Sequence, residues 1–485
     1  MLQLQRCPKR RREAGIRTVL PSETLERVRP LMPAAGMRPP RDITGLDRVG
    51  IPVFSVDRPA DGRYPGERGH FYNGKGATPE QAEASGIMEA MERFAAEPRE
   101  GDELVYGTYE DARSAGLAVR PEDLILPPDT SGAWAGRRIA WTVGYEMFRG
   151  CPVFLPAACV YHPYQSTTDM PLFRSHTNGI AAGNTVEEAI LHALFEDVER
   201  DAWSIAEHNE RANSDIVIED GSSAPGRLLR KFEDAGIEVH LKDITSDVGI
   251  TTIGAAADDV RTKDPEMLTL GVGTHLDPEI AAVRALTEVA QSRATHKDGA
   301  KINAQLQRAA RGMGYEGVKR ANPLWFRGSR SSRSLESMGD EATDYVLDDI
   351  EVVLRHLMDA GFDMVICSDI TRPETGVPVV RMTVPGLEVS AMDPARRGGR
   401  LRGVRGLRPR VSKHKSERGA GCPRPASGRF RPRGPRSPGL PALGADGLVV
   451  PFSHLVGVIG CANVHEKGKE QDWKEIYVCG QKAAS

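Results

Sequence analysis

At 485 residues the chain has room for two or three domains, or one large compound one. Hydrophobic residues make up 40% and charged residues 27%, with a net charge of −3, a balance that excludes a wholly disordered chain. No apolar run reaches the roughly eighteen residues of a helical membrane span, and the seven cysteines form no CxxC pair, which argues against a zinc centre and for a reducing cytoplasm.

The N-terminus, MLQLQRCPKRRREAG, is basic but has no apolar run behind its charges, so it is not a secretory signal. The first strong element begins at Thr78, where TPEQAEASGIMEAMER follows the leader NGKGAT with Gly74, Lys75 and Gly76. Thr78 suits an N-cap and Pro79 the first helical position. YEDARSAG, from Tyr109, reads as a short helix ending on glycine. A second long helix, TVEEAILHALFEDVER, starts at Thr185 behind TNGIAAGNT, with Gly179 and Gly183. LLRKFEDAGIEVHLKDIT, from Leu228, reads as helix, glycine stop, strand (Ile237, Val239, Leu241) and turn. The third long helix, DPEIAAVRALTEVAQSR, starts at Asp277 behind Gly271 and Gly273, with Pro278 at its first position. VLRHLMDAGFDMVICSDIT, from Val353, repeats the helix–DAG–strand–DIT unit, with Phe362, Met364 and Ile366 as the strand alternation. Asp243 and Asp369, in the two DIT runs, suit turn formation better than catalysis.

The three long helices are copies of one pattern. In each, the cap lies eleven residues before a glutamate: Glu89, Glu196 or Glu288. Three residues later come Glu92, Glu199 and Gln291. The glycine leaders suit anions, because backbone N–H groups point outward at a helix start. None is GxxxxGK[ST], so this is not a Walker site. A single ExxER also suits an exposed i,i+4 ion pair; the threefold repeat favours more. On each helix the residue four before the key glutamate, that glutamate and the residue three after it share a face. The faces are Ser85, Glu89 and Glu92; His192, Glu196 and Glu199; and Arg284, Glu288 and Gln291. Apolar neighbours such as Ile87, Met91, Leu194 and Val289 argue against a solvated face. If the faces converge, five carboxylates meet. Such a concentration requires cations, and Mg²⁺ with substrate phosphates is the expected kind. Arg93, Arg200 and Arg293 then suit either phosphate oxygens or the orienting of the carboxylates. There is no GxSxG and no Cys/His nucleophile signature. His192 and His176 show no constant chemistry across the repeats and are not assigned a base role.

SxxxExxER at Ser85–Arg93, TNGIAAGNT…EEAI…FEDVERDAW from Thr177 to Trp203, and ALTEVAQSR from Ala285 resemble the YcaO family. So do ITGLDRVGIPVFS from Ile43, NGKGAT, and VPVVRMTVPGLE from Val377. The resemblance implies an α+β fold of repeated α/β units, with mixed or antiparallel sheets and three glutamate-bearing helices converging on one site. It divides the chain into an N-terminal extension (1–42), a catalytic domain (43–395), a basic Pro/Gly/Arg-rich segment (396–440) whose composition predicts disorder, and a C-terminal segment (441–485). It implies ATP and Mg²⁺ as cofactors, with Glu89, Glu92, Glu196, Glu199 and Glu288 on metal. Lys75, Ser85, Asn178, Arg200, Gln291 and Arg293 fall to ATP. The implied reaction phosphorylates a peptide backbone amide oxygen and lets a nucleophile replace it.

The wording is most like the archaeal, methanogen-type proteins. That implies thioamide formation with a sulfide donor, on a glycine of methyl-coenzyme M reductase, with a TfuA-like partner. An azoline-forming cyclodehydratase and a non-catalytic ATP-binding accessory factor are the alternatives. A homodimer, a cytoplasmic location, a peptide or protein substrate, and neither membrane nor specific nucleic acid are expected. From Arg396 to Leu440 there are fifteen Lys/Arg and one acidic residue, Glu417, with dense Pro and Gly. The rest of the chain then carries 49 basic and 66 acidic residues, a net of −17. The segment suits a basic arm, a flexible linker, or an out-of-frame stretch of a GC-rich gene. The last fits best, because the family pattern stops abruptly after PGLEVSAMDPARRGGR.

Overall fold

A computed structural model describes residues 3–12, 15–59, 69–166, 168–298 and 304–401. The expected segment 441–485, and 402–440 of the basic segment, lie outside the described residues.

The chain opens with β1 (Arg10–Arg12), β2 (Gly15–Arg17) and α1 (Pro21–Val28). Next come β3 (Arg41–Asp42), β4 (Val53–Arg58), β5 (His70–Lys75) and α2 (Pro79–Ala96). β6 (Val105–Gly107), α3 (Tyr109–Ala115), β7 (Ile139–Glu146), β8 (Cys151–Pro156) and β9 (Ile180–Ala182) lead to α4 (Val186–His208). Then follow β10 (Ser214–Val217), α5 (Ala224–Asp234), β11 (Glu238–Asp243), β12 (Thr252–Asp258), β13 (Thr269–Thr274) and α6 (Pro278–Lys297). α7 (Ala304–Ala321), α8 (Pro323–Phe326), β14 (Ser332–Ser334), α9 (Val346–Asp359), β15 (Ile366–Asp369) and β16 (Val379–Thr383) complete the series.

The strands form three main sheets: β3-β4-β5, β13-β12-β11-β10-β14, and β6-β7-β15-β16-β9 with β8 also on β7. Among the described residues every strand pair is antiparallel except β10 with β14. The fold is α+β with antiparallel and mixed sheets, as the repeat and the resemblance implied. The helix–DAG–strand–DIT repeat is visible as α5–β11–β12 and α9–β15–β16. One detail differs: β15 starts at Ile366, so Phe362 lies in the approach and packs into the core instead. Asp243 and Asp369 each accept the N–H two residues on (3.0 and 2.9 Å), which makes them turn formers.

The threefold repeat is a strand, a tight turn and a long helix. β5 leads into α2, β9 into α4 and β13 into α6, so each glutamate-bearing helix follows a strand of a different sheet. α2 and α6 lie flush on their own strands because the strands carry glycine. A Cβ at Gly74 would overlap the backbone of Gly86, and one at Gly271 the carbonyl of Ala285. These glycines thus serve close packing within strands, where their leaders had suggested turns. Gly179, in the TNG turn, has φ +80°, a conformation that favours glycine, and faces the Asp197 carboxylate.

The packed body extends past the expected boundary at 395. Arg396 is 3% exposed and donates to the carbonyls of Leu124 and Ile125. Arg400 pairs with Asp201 and Asp247, and Leu401 is buried. Residues 396–401 therefore belong to the folded unit. The N-terminal extension also packs closely: Thr24 Oγ1 donates to Asn184 Oδ1 (2.9 Å) and the Gln5 N–H to Glu187 (2.6 Å). Among the described residues no helix is long and apolar enough to cross a membrane.

Candidate active site

The same local device starts each of the three helices. Thr78 accepts the Gln81 N–H (3.3 Å) and Thr185 the Glu188 N–H (3.2 Å). Asp277 accepts the N–H groups of Glu279 (2.9 Å) and Ile280 (3.4 Å). Each cap satisfies orphan donors of the first turn and fixes where the helix begins. Fixing the start also fixes which side of the helix each glutamate occupies.

A cavity of about 430 Å³ opens between the three helices. Ser85, Glu89 and Glu92 line it from α2; His192, Glu196 and Glu199 from α4; Arg284, Glu288 and Gln291 from α6. Lys75, Arg93 and Arg200 line it too. Lys75 pairs with Glu288 across the cavity. Arg93 lies 3.4 Å from Glu89, and Arg200 is 3.9 Å from Glu196 and 3.6 Å from Glu199. Gln291 donates its amide to the carbonyl of Asn73.

Electrostatics show how crowded the acids are. Burial pushes the Glu92 carboxyl up to about 8, against the pull of Arg93, and Glu89 and Glu196 add to the rise. Burial likewise raises Glu89, with Arg93 and Lys75 opposing. Burial first, and then the Glu288 charge, raises Glu199. Glu288 is held low: burial alone would raise it, but Lys75 and Arg200 outweigh that. Glu199 Oε2 is buried without a hydrogen-bond partner. An orphaned carboxylate oxygen among raised carboxylic acids fits a site for a hard cation. The ring of arginines and Lys75 fits a polyphosphate beside it.

Two expected ATP contacts sit elsewhere. Arg293 is fully buried behind α6, bound to Asp47 (2.8 Å) and Asp259 (3.0 Å). It follows Glu288 by five residues rather than four, so it is turned about 140° round the helix from Glu288, away from the cavity face. Asn178 is buried beside Thr177 and does not line the cavity; Thr177 does. His176 is half-buried away from the cavity, its carbonyl bound by Arg381 (2.7 Å). His192 lies 3.3 Å from Arg284 Nη2 and 3.5 Å from Arg17 Nη2. Burial, then these two arginines, hold it well below the usual histidine range, so it is neutral.

The sequence also hid several members of the wall. Arg17 and Leu20 reach the cavity from the N-terminal extension, Trp203 from α4 and Met392 from the C-terminal loop. Glu188 lines it as well, and accepts N–H groups from Thr18 and Asn184. Glu188 was visible as the third residue after the Thr185 cap; its partner Thr18 is 170 positions away, and no local pattern announces that.

An α+β fold that gathers carboxylates and cations around one cavity suits the class of proteins that hold a hard cation beside a polyphosphate. A family model described as YcaO cyclodehydratase, ATP- and Mg²⁺-binding, matches residues 73–388. The chain is 44% identical over 389 residues to an uncharacterized protein of Methanothermobacter thermautotrophicus, covering 79% of this chain and 98% of that one. It is 31% identical over 407 residues to a Rhizobium leguminosarum bv. trifolii protein described as lying in the tfuA 3′ region, covering 78% and 91%. Among solved structures, YcaO from Methanopyrus kandleri bound with AMPPCP and Mg²⁺ matches with a TM-score of 0.66 at 31% identity, covering 80% and 96%. A heterocyclase in complex with substrate and cofactor shares the fold, with a TM-score of 0.68 at 24% identity, covering 80% and 54%. The chain belongs to the YcaO family, which the matching model describes as ATP- and Mg²⁺-binding.

Proposed function

We propose that this chain binds Mg²⁺–ATP between α2, α4 and α6, and uses it to activate a peptide backbone amide that sulfur then converts to a thioamide. The observation that carries this is the lining of one cavity by all nine repeat-face side chains. Glu89, Glu92, Glu196, Glu199 and Glu288 hold the metal. Lys75, Arg93, Arg200 and Arg284 meet the phosphates, with Ser85 and Gln291 as neutral donors. When bound, Mg²⁺ neutralises phosphate charge and polarises the γ-phosphoryl group. An amide oxygen is a poor leaving group; carrying phosphate, it becomes a good one. The arginines offset the charge that develops as it departs.

One relative supports the cofactor and another the TfuA-like partner. The M. kandleri YcaO was solved with AMPPCP and Mg²⁺, and the Rhizobium relative is placed beside tfuA. A glycine of methyl-coenzyme M reductase is the substrate, a TfuA-like protein the partner, and sulfide or its carrier the nucleophile. The work is done in the cytoplasm, a reading supported by Cys7, Cys159 and Cys367, which form no disulfide among the described residues. A second reading, azoline formation, is favoured by the cyclodehydratase description of the family model and by the heterocyclase fold. Mass spectrometry of a glycine-bearing peptide with cysteine or serine directly after the glycine, incubated with protein, Mg²⁺–ATP and sulfide, separates the two. The account expects phosphate release and a gain of about 16 Da as oxygen is exchanged for sulfur, whereas a loss of about 18 Da would establish azoline chemistry.

A further inference from the structure

β5 is the outermost strand of its sheet, and among the described residues no strand pairs with its second edge. The register shows which main-chain groups lie on that edge. Phe71, Asn73 and Lys75 stand opposite Asp57, Ser55 and Val53. Asp57 gives its carbonyl to the Arg38 N–H (2.8 Å) and Val53 its carbonyl to the Ile43 N–H (2.9 Å), both on the far side of β4. These are therefore the non-hydrogen-bonded pairs of the ladder. The N–H and C=O of Phe71, Asn73 and Lys75 point away from β4. Gln291 takes the Asn73 carbonyl from that outer side. His70, Phe71, Tyr72, Asn73 and Lys75 all line the cavity, so the open edge runs along its wall. Phe71 is 52% exposed.

We infer that the edge of β5 at Phe71 takes up the substrate peptide as an added strand, exchanging main-chain hydrogen bonds with the Phe71 N–H and C=O. This rests on the reading that the reacting group is a peptide backbone amide. A site that reacts with main chain gains by gripping main chain, and a strand edge does so whatever the side chains. Gln291 closes the edge at Asn73, so the incoming chain turns there from the strand into the cavity. At about 3.3 Å per residue it reaches the Lys75–Glu288 pair within about four residues.

Phe71→Pro deletes the outward N–H and leaves the β4 ladder intact, because that N–H takes no part in it. Phe71→Ala controls for the side chain, and thermal melts establish that both variants fold. With the glycine-bearing peptide and sulfide, Phe71→Pro should raise KM about tenfold, with kcat and Mg²⁺–ATP affinity within about twofold of wild type. Phe71→Ala should stay within about threefold. In hydrogen exchange, the Phe71 amide should gain protection when peptide is added to protein loaded with Mg²⁺–AMPPCP. A wild-type KM in Phe71→Pro, an equal rise in Phe71→Ala, or no gain in protection overturns the inference. Its failure is distinct from that of the functional reading: Glu199→Ala that still binds Mg²⁺–ATP like wild type sinks the latter, whatever Phe71→Pro does.

Discussion

Arg200 and Arg293 end two copies of the same pattern and do unlike things. Arg200, four residues after its glutamate, faces the cavity; Arg293, five after, is sealed in an ion-pair network with Asp47 and Asp259. Its loss should therefore cost stability rather than nucleotide. Arg293→Met should destabilise by about 3–5 kcal/mol, the range for breaking a buried pair. Denaturant melts and calorimetric titration with Mg²⁺–ATP measure the two effects separately; weakened nucleotide binding without destabilisation would contradict this placement. The acids give a pH signature. The Glu92 carboxyl is raised from 4.5 to about 8, so between those values the folded state keeps a proton that the unfolded state releases. Stability of the ligand-free protein should accordingly fall as pH rises from 5 to 8. A cation that displaces the proton removes the penalty, so stabilisation by Mg²⁺–ATP should be greater at pH 8 than at pH 6. Differential scanning fluorimetry with and without ligand tests both, at about 1 °C for each kcal/mol in a body of this size. At this scale the glutamates were legible, because spacings of three and four fix a helix face. Arg293 was misread because one extra residue rotates a side chain out of that face.

The elements explain why the faces meet. Each helix is started by its own cap, and the caps Thr78, Thr185 and Asp277 were readable because capping is local. That the three helices rise from strands of three different sheets is a matter of long-range pairing. The two β-strand glycines were readable as glycine but not as packing devices, since the chain gives no sign of how near the helix backbone comes. Gly271→Ala should test that role: its Cβ would overlap the Ala285 carbonyl. A loss of about 1–3 kcal/mol in denaturant melts is expected, the usual cost of overpacking. An unchanged melting curve would show that α6 has slack on β13. The N-terminal extension was the least legible element. Its basic run has no periodicity, yet Thr18 fastens to Glu188 and Arg17 enters the wall of the cavity. Those contacts exist only once the rest of the fold is in place.

At the scale of the molecule, three sheets and their covering helices present one acidic cavity, and residues 396–401 close the body below α4 through Arg400 and Asp201. Composition had suggested that the basic segment begins at Arg396. Two arginines that look like part of a charge run are instead buried or ion-paired, since the local count cannot see the carbonyls of Leu124 and Ile125 or the Asp201 carboxylate. The central claim is that acids from α2, α4 and α6 act as one metal–nucleotide site. Isothermal titration of Mg²⁺–AMPPCP into wild type, Glu89→Ala, Glu199→Ala and Glu288→Ala tests it most directly. One shared site predicts saturable binding in wild type that needs Mg²⁺, and at least about a hundredfold loss in each variant, as expected when a buried charge-assisted contact is removed. Wild-type affinity in any one of the three variants would contradict it.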